Sequence, residues 1–169
     1  MCGAELSKLP DGVQRVAAFL QTSGHFCMPN MLQDAARTAQ QAADVLGVEL
    51  GQIAKSIIFK RKSDNAAVLV ITSGDKRVDE AKVQALVCDE GTKLGRADAD
   101  FVKLKTGFAI GGVAPVAHLT EPVTLLDTEL FRFETVWAAA GHPNAVFEVS
   151  PQALQLLAQA PVADVTLSI

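Results

Sequence analysis

The chain has 169 residues, of which 49% are apolar and 20% are charged, and its formal net charge is −4. This length suits one domain spanning residues 1–169, and the apolar fraction is sufficient for one continuous core, which excludes a largely disordered chain. The acidic balance argues against a protein that holds a polyanion through an overall basic surface.

The three cysteines, Cys2, Cys27 and Cys88, are widely spaced and include no Cys-x-x-Cys pair. Neither a disulfide framework nor a structural zinc site is predicted, and a reducing cytoplasm is the expected compartment. The first ten residues lack the apolar stretch of a secretion signal, and no apolar run reaches the roughly 18 residues of a membrane span. We therefore expect a cytoplasmic protein without a membrane segment.

Helices and strands are both predicted along the whole chain. Apolar residues at helical spacing indicate helices, and short β-branched, apolar runs indicate strands. In chain order the prediction is helix 13–22, extended segment 24–30, helix 35–46, strands 53–59 and 66–72, helix 78–87, helix 98–105, strands 123–126, 135–139 and 145–149, helix 150–158 and edge strand 164–168. This order predicts an α/β fold with a mixed, largely antiparallel sheet and surrounding helices.

Several residues have the types that begin or end helices. Asp98 and Ser150 are predicted N-caps, because their side-chain oxygens can accept a hydrogen bond from a free amide of the first turn. Pro151 suits the first helical position, and Gly47 and Gly107 suit the left-handed residue that follows a helix.

Lys55 lies in the predicted strand 53–59, on the same face as Ile53, Ile57 and Phe59 because side chains alternate along a strand. An ammonium among apolar side chains is costly to desolvate unless an anion, a dipole or an open pocket receives it. The pattern therefore indicates a binding cleft at this lysine. The alternative is a lysine near a strand end whose side chain extends to water.

Gly111 and Gly112 interrupt an apolar run between Ile110 and Val113. Two glycines permit close approach of the main chain to a ligand, and their amides could stabilise the oxyanion formed when an acyl ester is attacked. A β-bulge or tight bend in a sheet is the alternative interpretation.

Other catalytic and metal-binding patterns are missing from the sequence. His25, His118 and His142 form no His-x-x-x-His or His-Glu-x-x-His arrangement, so no metal and no cofactor is predicted. Serine-hydrolase, dinucleotide-binding and P-loop motifs do not occur. Cys27 and Cys88 have no base nearby in sequence and suit small core residues, although a thiol-dependent hydrolase using Cys27 is a separate hypothesis.

Basic residues are concentrated in two stretches of the chain, which could form one face for nucleic acid or simply a solvated surface. They are Lys55, Lys60, Arg61, Lys62, Lys76 and Arg77, followed by Lys103 and Lys105.

Three segments, in this order, resemble the YbaK/ProX family of prolyl-tRNA editing domains: Thr38–Gly47, Ile53–Ser56 and Gly111–Pro115. The similarity extends to Ser150–Leu154 and so covers nearly the whole chain. It implies a YbaK-like α/β domain and a free-standing trans-editing hydrolase that deacylates misacylated tRNA. The implied substrate is tRNA(Pro) carrying a small non-cognate amino acid: alanine, cysteine, serine, threonine or 2-aminobutyrate. Prolyl-tRNA synthetase is a second partner that the resemblance allows.

The resemblance also implies roles for individual residues. Lys55 matches the functional lysine of the family and would position the acyl carbonyl or the terminal nucleotide, while the amides of Gly111 and Gly112 would shape the carbonyl site. Water, or the substrate's own hydroxyl or side chain, would be the attacking group. The substrate-binding candidates, in a pocket that would exclude proline by size, are Phe26, Met28, Ser56, Pro115 and His142.

One turn differs from the family pattern. Several relatives carry a Gly-Lys-Arg-Gly-like turn near the C-terminus, whereas this chain has Gly141–Asn144, without the two positive charges. This indicates a subgroup other than the cysteinyl-tRNA-specific branch. A non-catalytic module that binds aminoacyl-tRNA or nucleic acid with the same fold is the alternative function, but Lys55 together with the glycine loop favours an enzyme.

Overall fold

The computed structural model describes residues 8–25, 27–34 and 36–168. Within these ranges, eight strands form one sheet. Four of its seven pairings are antiparallel, which confirms the predicted mixed, largely antiparallel α/β class. None of the helices in these ranges is both long enough and apolar enough to cross a membrane.

In the described part of the chain, five α-helices surround the sheet: α1 (Asp11–Thr22), α2 (Ala39–Leu46), α3 (Glu80–Val87), α4 (Ala99–Thr106) and α5 (Pro151–Ala158). The strands are β1 (Asn30–Met31), β2 (Ile53–Arg61), β3 (Ala66–Ser73), β4 (Leu94–Arg96), β5 (Val123–Asp127), β6 (Val136–Ala139), β7 (Ala145–Val149) and β8 (Val162–Ala163). Their order in the sheet is β1-β7-β6-β2-β3-β5-β8, with β4 also paired to β2. Short 3₁₀ helices at Leu50–Gln52 and Thr128–Arg132 precede β2 and β6.

The hairpin of β2 and β3 forms the centre of the sheet. Strand β3 is almost wholly buried because layers cover both of its faces, and this explains its continuous apolar sequence. On one face, Leu69 and Ile71 join the largest core cluster with Val13 and Leu20 of α1. On the other, Val68 and Val70 pack with Val83 of α3. The core therefore holds β2 rigidly through its neighbour β3.

The second edge of β2 is divided between two short neighbours. Ile53 and Ala54 pair with β6, and Phe59–Arg61 pair with β4. Residues 55–58 lie between these pairings and have no strand partner on this edge in the described part of the chain. The sheet thus contains a gap at the middle of β2.

Helix ends agree with the predicted capping residues. Asp98 accepts a hydrogen bond from the Phe101 amide (2.8 Å), and Ser150 accepts one from the Ala153 amide (3.1 Å). Gly47 and Gly107 follow α2 and α4 with φ of 69° and 81°. These positions favour glycine because other residues are strained there.

Three predicted boundaries were wrong. Helix α2 begins at Ala39, because Thr38 already has extended geometry and caps the helix. Helix α3 begins at Glu80, because Asp79 caps it and Val78 forms a β-bridge with Thr166. The last strand is Val162–Ala163 rather than 164–168, and the short strands β1 and β4 were not predicted as strands.

Candidate functional site

A cavity of about 380 Å³ opens at the gap in the sheet. Residues 53–58 of β2 form one side of it, along the gap. The other sides come from residues 36–39 at the start of α2, from Ile110, Gly111 and Val113 after α4, and from Pro143, Ala145 and Val146 around the start of β7. A volume in this range suits a small ligand such as an amino acid.

Lys55 lies in this cavity and is half-buried. Its Nζ donates a hydrogen bond to the main-chain oxygen of Lys76 (3.0 Å), and it forms no ion pair with any described carboxylate. The structure thus places Lys55, the residue predicted to lie at a binding cleft, at a cavity. One neutral acceptor leaves two of the three ammonium protons available to a ligand.

The charge on Lys55 is only weakly compensated. Burial lowers the pKa of Lys55 below its ordinary value, and the nearby Asp75 carboxylate partly offsets this effect, while Arg77 lowers the pKa further. Asp75 is itself held by Arg132 in a bidentate ion pair, with N–O distances of 2.7 and 3.0 Å. The cavity therefore contains a cation that gains from an incoming carbonyl or phosphate oxygen.

Ser56 lines the same cavity from the opposite face of β2. Its hydroxyl oxygen is buried and has no hydrogen-bond partner in the described residues. A buried hydroxyl without a partner is unfavourable by about 1–3 kcal/mol. The structure therefore places Ser56 at the cavity next to Lys55, with its hydroxyl oxygen turned away from the accessible surface.

Gly111 and Gly112 lie in a turn, not in a strand, and their environments differ. Gly111 is exposed, has φ of 95° and lines the cavity. The Gly112 amide donates to the Ala109 carbonyl oxygen (3.0 Å) and closes the turn. The expectation that both glycine amides bind the carbonyl therefore does not fit Gly112, whose amide is already used.

Gly112 has a packing function instead. A Cβ atom added to it would lie 2.8–2.9 Å from main-chain atoms of His142, closer than non-bonded atoms approach. The turn 109–112 thus packs directly against the turn 141–144. Gly141, in the second turn, has φ of 94° and contacts the Gly12 main chain at the start of α1 just as closely. Main-chain contacts, which the glycines permit because they lack side chains, hold this wall of the cavity in place.

His142 borders the wall without lining the cavity. Its Nδ1 accepts a hydrogen bond from the Asn144 amide (3.0 Å), and its neighbour Pro143 provides the lining surface. The Pro143 carbonyl oxygen accepts a hydrogen bond from the Ala36 amide (3.2 Å), which connects this turn to the segment before α2. The histidine thus shapes the turn that carries Pro143.

The remaining substrate-binding candidates are not brought to the cavity. Pro115 is buried and lines a separate cavity with Phe19 and His118 on another side of the molecule. Met28 packs against the main core cluster and is not among the lining residues. Phe26 lies outside the described residues.

The histidines and cysteines do not form a further site. His118 donates a hydrogen bond from Nε2 to the Ala114 carbonyl oxygen (2.7 Å), and burial lowers its pKa. His25 contacts the Glu148 oxygen (3.1 Å) from another part of the fold. Across the residues that the structure describes, no three His, Cys, Asp or Glu side chains are grouped to hold a metal ion.

Comparison with known proteins establishes the family. Residues 33–157 match the model of the aminoacyl-tRNA editing domain. The chain belongs to this family. Members of the family are aminoacyl-tRNA deacylases, hydrolases that act in editing.

One solved crystal structure, whose proposed identity is a trans-editing enzyme for prolyl-tRNA synthetase, shares this editing domain's fold. Its TM-score is 0.87 and its sequence identity is 39%, over 95% of this chain and 100% of that one. YwhH of Bacillus subtilis, an uncharacterised protein, is 36% identical over 69% of this chain and 72% of its own length. These similarities cover most of both proteins.

Two further relatives have names that refer to tRNA. EbsC of Enterococcus faecalis, a proposed Cys-tRNA(Pro)/Cys-tRNA(Cys) deacylase, is 24% identical over 76% of this chain and 77% of its own length. A proline–tRNA ligase of a Thermoanaerobacter species is 29% identical over 56% of this chain. The match spans only 16% of that ligase, so this editing domain corresponds to a small part of it.

Several lining residues of the editing domain were not predicted from sequence. Arg37, Ile110 and Pro143 belong to three different segments, and only the fold brings them to Lys55. Ile110 is 58% exposed although it is apolar, and it precedes the two glycines. The feature of the sequence that could have identified Ile110 is its position in an apolar run next to the glycines predicted to bind a ligand.

The basic residues divide into paired and unpaired groups. Arg61 and Lys76 form ion pairs with Asp64 and Glu129. Lys60 and Lys105 instead lie over the ring of Phe101, with Nζ-to-centroid distances of 5.3 and 5.9 Å, and have no ion pair to a described carboxylate. We call these three residues the Phe101 patch. Two residues that line the cavity are near it in sequence: Val102 follows Phe101, and Ile58 lies two residues before Lys60.

Proposed function

We propose that this editing domain hydrolyses tRNA(Pro) esterified with a small non-cognate amino acid: alanine, cysteine, serine, threonine or 2-aminobutyrate. The observation that carries the proposal is the half-buried, unpaired Lys55 ammonium in a small cavity bordered by the glycine turn. The names of the relatives support tRNA(Pro) as the tRNA. We further propose that residues 1–169 act as one domain, in the cytoplasm.

The cavity supports ester hydrolysis through positioning and electrostatics. Lys55 would donate to the acyl carbonyl oxygen or to the terminal nucleotide, and would stabilise the negative charge that develops during attack. The water oxygen bonds to the acyl carbon, the bond from that carbon to the ribose oxygen breaks, and the ribose oxygen takes up a proton. The products are the free amino acid and tRNA.

Selection by size follows from the walls of the cavity. Pro143, Ile110 and Ala36 approach from three segments, and their positions are fixed by the Gly112–His142 contact and by the Ala36–Pro143 hydrogen bond. A rigid wall excludes a larger or differently shaped side chain by steric clash. Exclusion of proline is the expected form of selectivity, since apolar contacts alone distinguish one methylene by only about 1–3 kcal/mol.

The proposal is tested by measuring deacylation of tRNA(Pro) charged in turn with alanine, cysteine, serine, threonine, 2-aminobutyrate and proline. Hydrolysis of at least one non-cognate ester, with prolyl-tRNA spared, is the expected result. The panel is repeated with prolyl-tRNA synthetase added, because that enzyme is a second candidate partner. Binding without hydrolysis across the whole panel would instead identify a non-catalytic module.

The Phe101 patch provides a prediction about tRNA contact. If Lys60 and Lys105 contact phosphates, the double change Lys60→Ala, Lys105→Ala should reduce kcat/KM for charged tRNA by about 5- to 20-fold at low salt. It should also reduce the slope of log(kcat/KM) against log[salt] by about 1.4, since each single-strand phosphate contact adds about 0.7. Hydrolysis of a short substrate, aminoacyl-adenosine, should be unaffected.

The matched control for the Phe101 patch is Lys82→Ala. Lys82 lies on α3, is not one of the residues that line the cavity, and forms an ion pair with Asp164 (3.1 Å). This variant should keep the salt slope of the wild type. An unchanged slope in the double variant would show that the patch is only a solvated surface.

A further inference from the structure

The gap in the sheet exposes specific main-chain groups of β2. In an antiparallel pair, N–H and C=O groups of alternate residues point to opposite edges of the strand. Lys62 donates its amide to the Lys93 oxygen (3.1 Å), on the β4 side. The hairpin-closing residue Arg61 pairs with Ala66 of β3, on the other side. Ser56 has the orientation of Lys62, so its N–H and C=O point into the gap.

Among the residues that the structure describes, these main-chain groups have no strand partner. Neither β4 nor β6 pairs with Ser56, and no other hydrogen bond to its N–H or C=O occurs within the described ranges. The Ser56 hydroxyl is buried and also unpartnered. Ser56 is only partly buried and lines the cavity, so the two main-chain groups that the gap leaves without a strand partner are accessible to a ligand.

We infer that the main chain of Ser56 binds the aminoacyl group of the substrate as one residue added to the sheet. The Ser56 C=O accepts a hydrogen bond from the α-ammonium of the amino acid, and the Ser56 N–H donates to the ester carbonyl oxygen. The inference rests on the proposed function and names the group that holds the amino acid. The substrate would pair with β2 in the way that an added strand pairs with a sheet edge, but through a single residue.

The dimensions of the gap favour an aminoacyl ester over a peptide. Lys55 to Ile58 spans about 10 Å at the usual rise per residue, and β4 and β6 close both ends. An added strand of several residues does not fit, whereas one α-ammonium and one carbonyl, separated by a single Cα, do. The Ser56 N–H also provides a hydrogen-bond donor to the ester carbonyl oxygen, in place of the Gly112 amide, which already donates to Ala109 within its turn.

The first test changes the substrate and leaves the protein intact. Propionyl-tRNA(Pro) has the shape of alanyl-tRNA(Pro) but lacks the α-ammonium. We expect wild-type kcat/KM to fall by at least about 10-fold for the propionyl ester, relative to the uncatalysed hydrolysis rate of each ester, since a hydrogen bond to a charged group is lost. Equal relative rates would overturn the inference.

The second test removes the amide alone. Ser56→Pro lacks the N–H, but its pairing with β3 does not use that group, so the hairpin should persist. Ser56→Val is the matched control, because valine has similar bulk and keeps the N–H. The proline variant should be at least about 10-fold less active than the valine variant, with similar thermal midpoints. Equal activity of the two folded variants would overturn the inference.

A binding measurement separates this inference from the proposed function. The probe is alanyl-3′-amino-3′-deoxyadenosine, whose amide link is not hydrolysed, titrated into ¹⁵N-labelled protein. A large shift of the Ser56 amide resonance would support the inference even if no tRNA is deacylated. Deacylation without any Ser56 shift would overturn the inference and leave the function intact. Absence of both would overturn both.

Discussion

Replacing Lys55 by alanine is expected to reduce the rate constant of deacylation by about 100-fold or more, because it removes the half-buried ammonium that the cavity offers to the carbonyl or phosphate. The fold should be little affected, since the Lys55 side chain makes one hydrogen bond, to a main-chain oxygen, and no ion pair in the described structure. Single-turnover kinetics with alanyl-tRNA(Pro), together with thermal unfolding, measure the two quantities.

Two comparisons make the Lys55 result specific. Lys55→Arg keeps the charge but changes its geometry, so partial activity would show that charge contributes beyond shape. Lys82→Ala removes a lysine of the same charge outside the cavity and should retain wild-type kinetics. Wild-type activity in a folded Lys55→Ala protein would remove this lysine from the mechanism.

Replacing Gly112 by alanine is expected to reduce stability by about 1–3 kcal/mol and to lower activity strongly. The new methyl group would lie 2.8 Å from the His142 Cα and 2.9 Å from its N and C atoms, all main-chain atoms that move only with the turn. Separation of the two turns would displace Pro143 and enlarge or distort the cavity. Urea unfolding and deacylation kinetics with alanyl- and prolyl-tRNA(Pro) report both effects.

Gly91→Ala is the control for Gly112. Gly91 has φ of 84°, but no atom lies within 4 Å of an added Cβ, so the change strains the main chain locally without a clash. It should cost about 1 kcal/mol and leave the activity unchanged. If Gly112→Ala were as stable and as active as Gly91→Ala, the close packing of the two turns would not be required.

The sequence was sufficient for the central hairpin, most helices and their caps, because these depend on local patterns. Continuous apolar runs identified β2 and β3, and Asp98, Ser150 and Gly107 marked helix ends that the structure has. The short strands β1 and β4 have two and three residues, too few for a periodic pattern. Their pairing partners, and with them the gap, arise only from tertiary contacts.

The sequence predicted those parts of the candidate site in which a residue differs in type from the apolar run around it. Lys55 was a charge in an apolar strand, and the paired glycines interrupted an apolar run, and the structure places Lys55 and Gly111 on one cavity. The different roles of Gly111, which lines the cavity, and Gly112, whose amide closes the turn, were not predictable, because they depend on which amide forms the hydrogen bond of the turn. Pro115 follows the glycine loop in sequence but points to another cavity.

The contact between Gly12 and Gly141 ties the first helix to the cavity wall. An added Cβ at either glycine would clash with the carbonyl oxygen of the other, so a displacement of the start of α1 also displaces the turn before Pro143. Substitutions in α1 that contact no ligand can therefore change which amino acid the cavity accepts. Efforts to re-engineer the specificity of this domain should therefore randomise the first turn of α1 along with the lining residues.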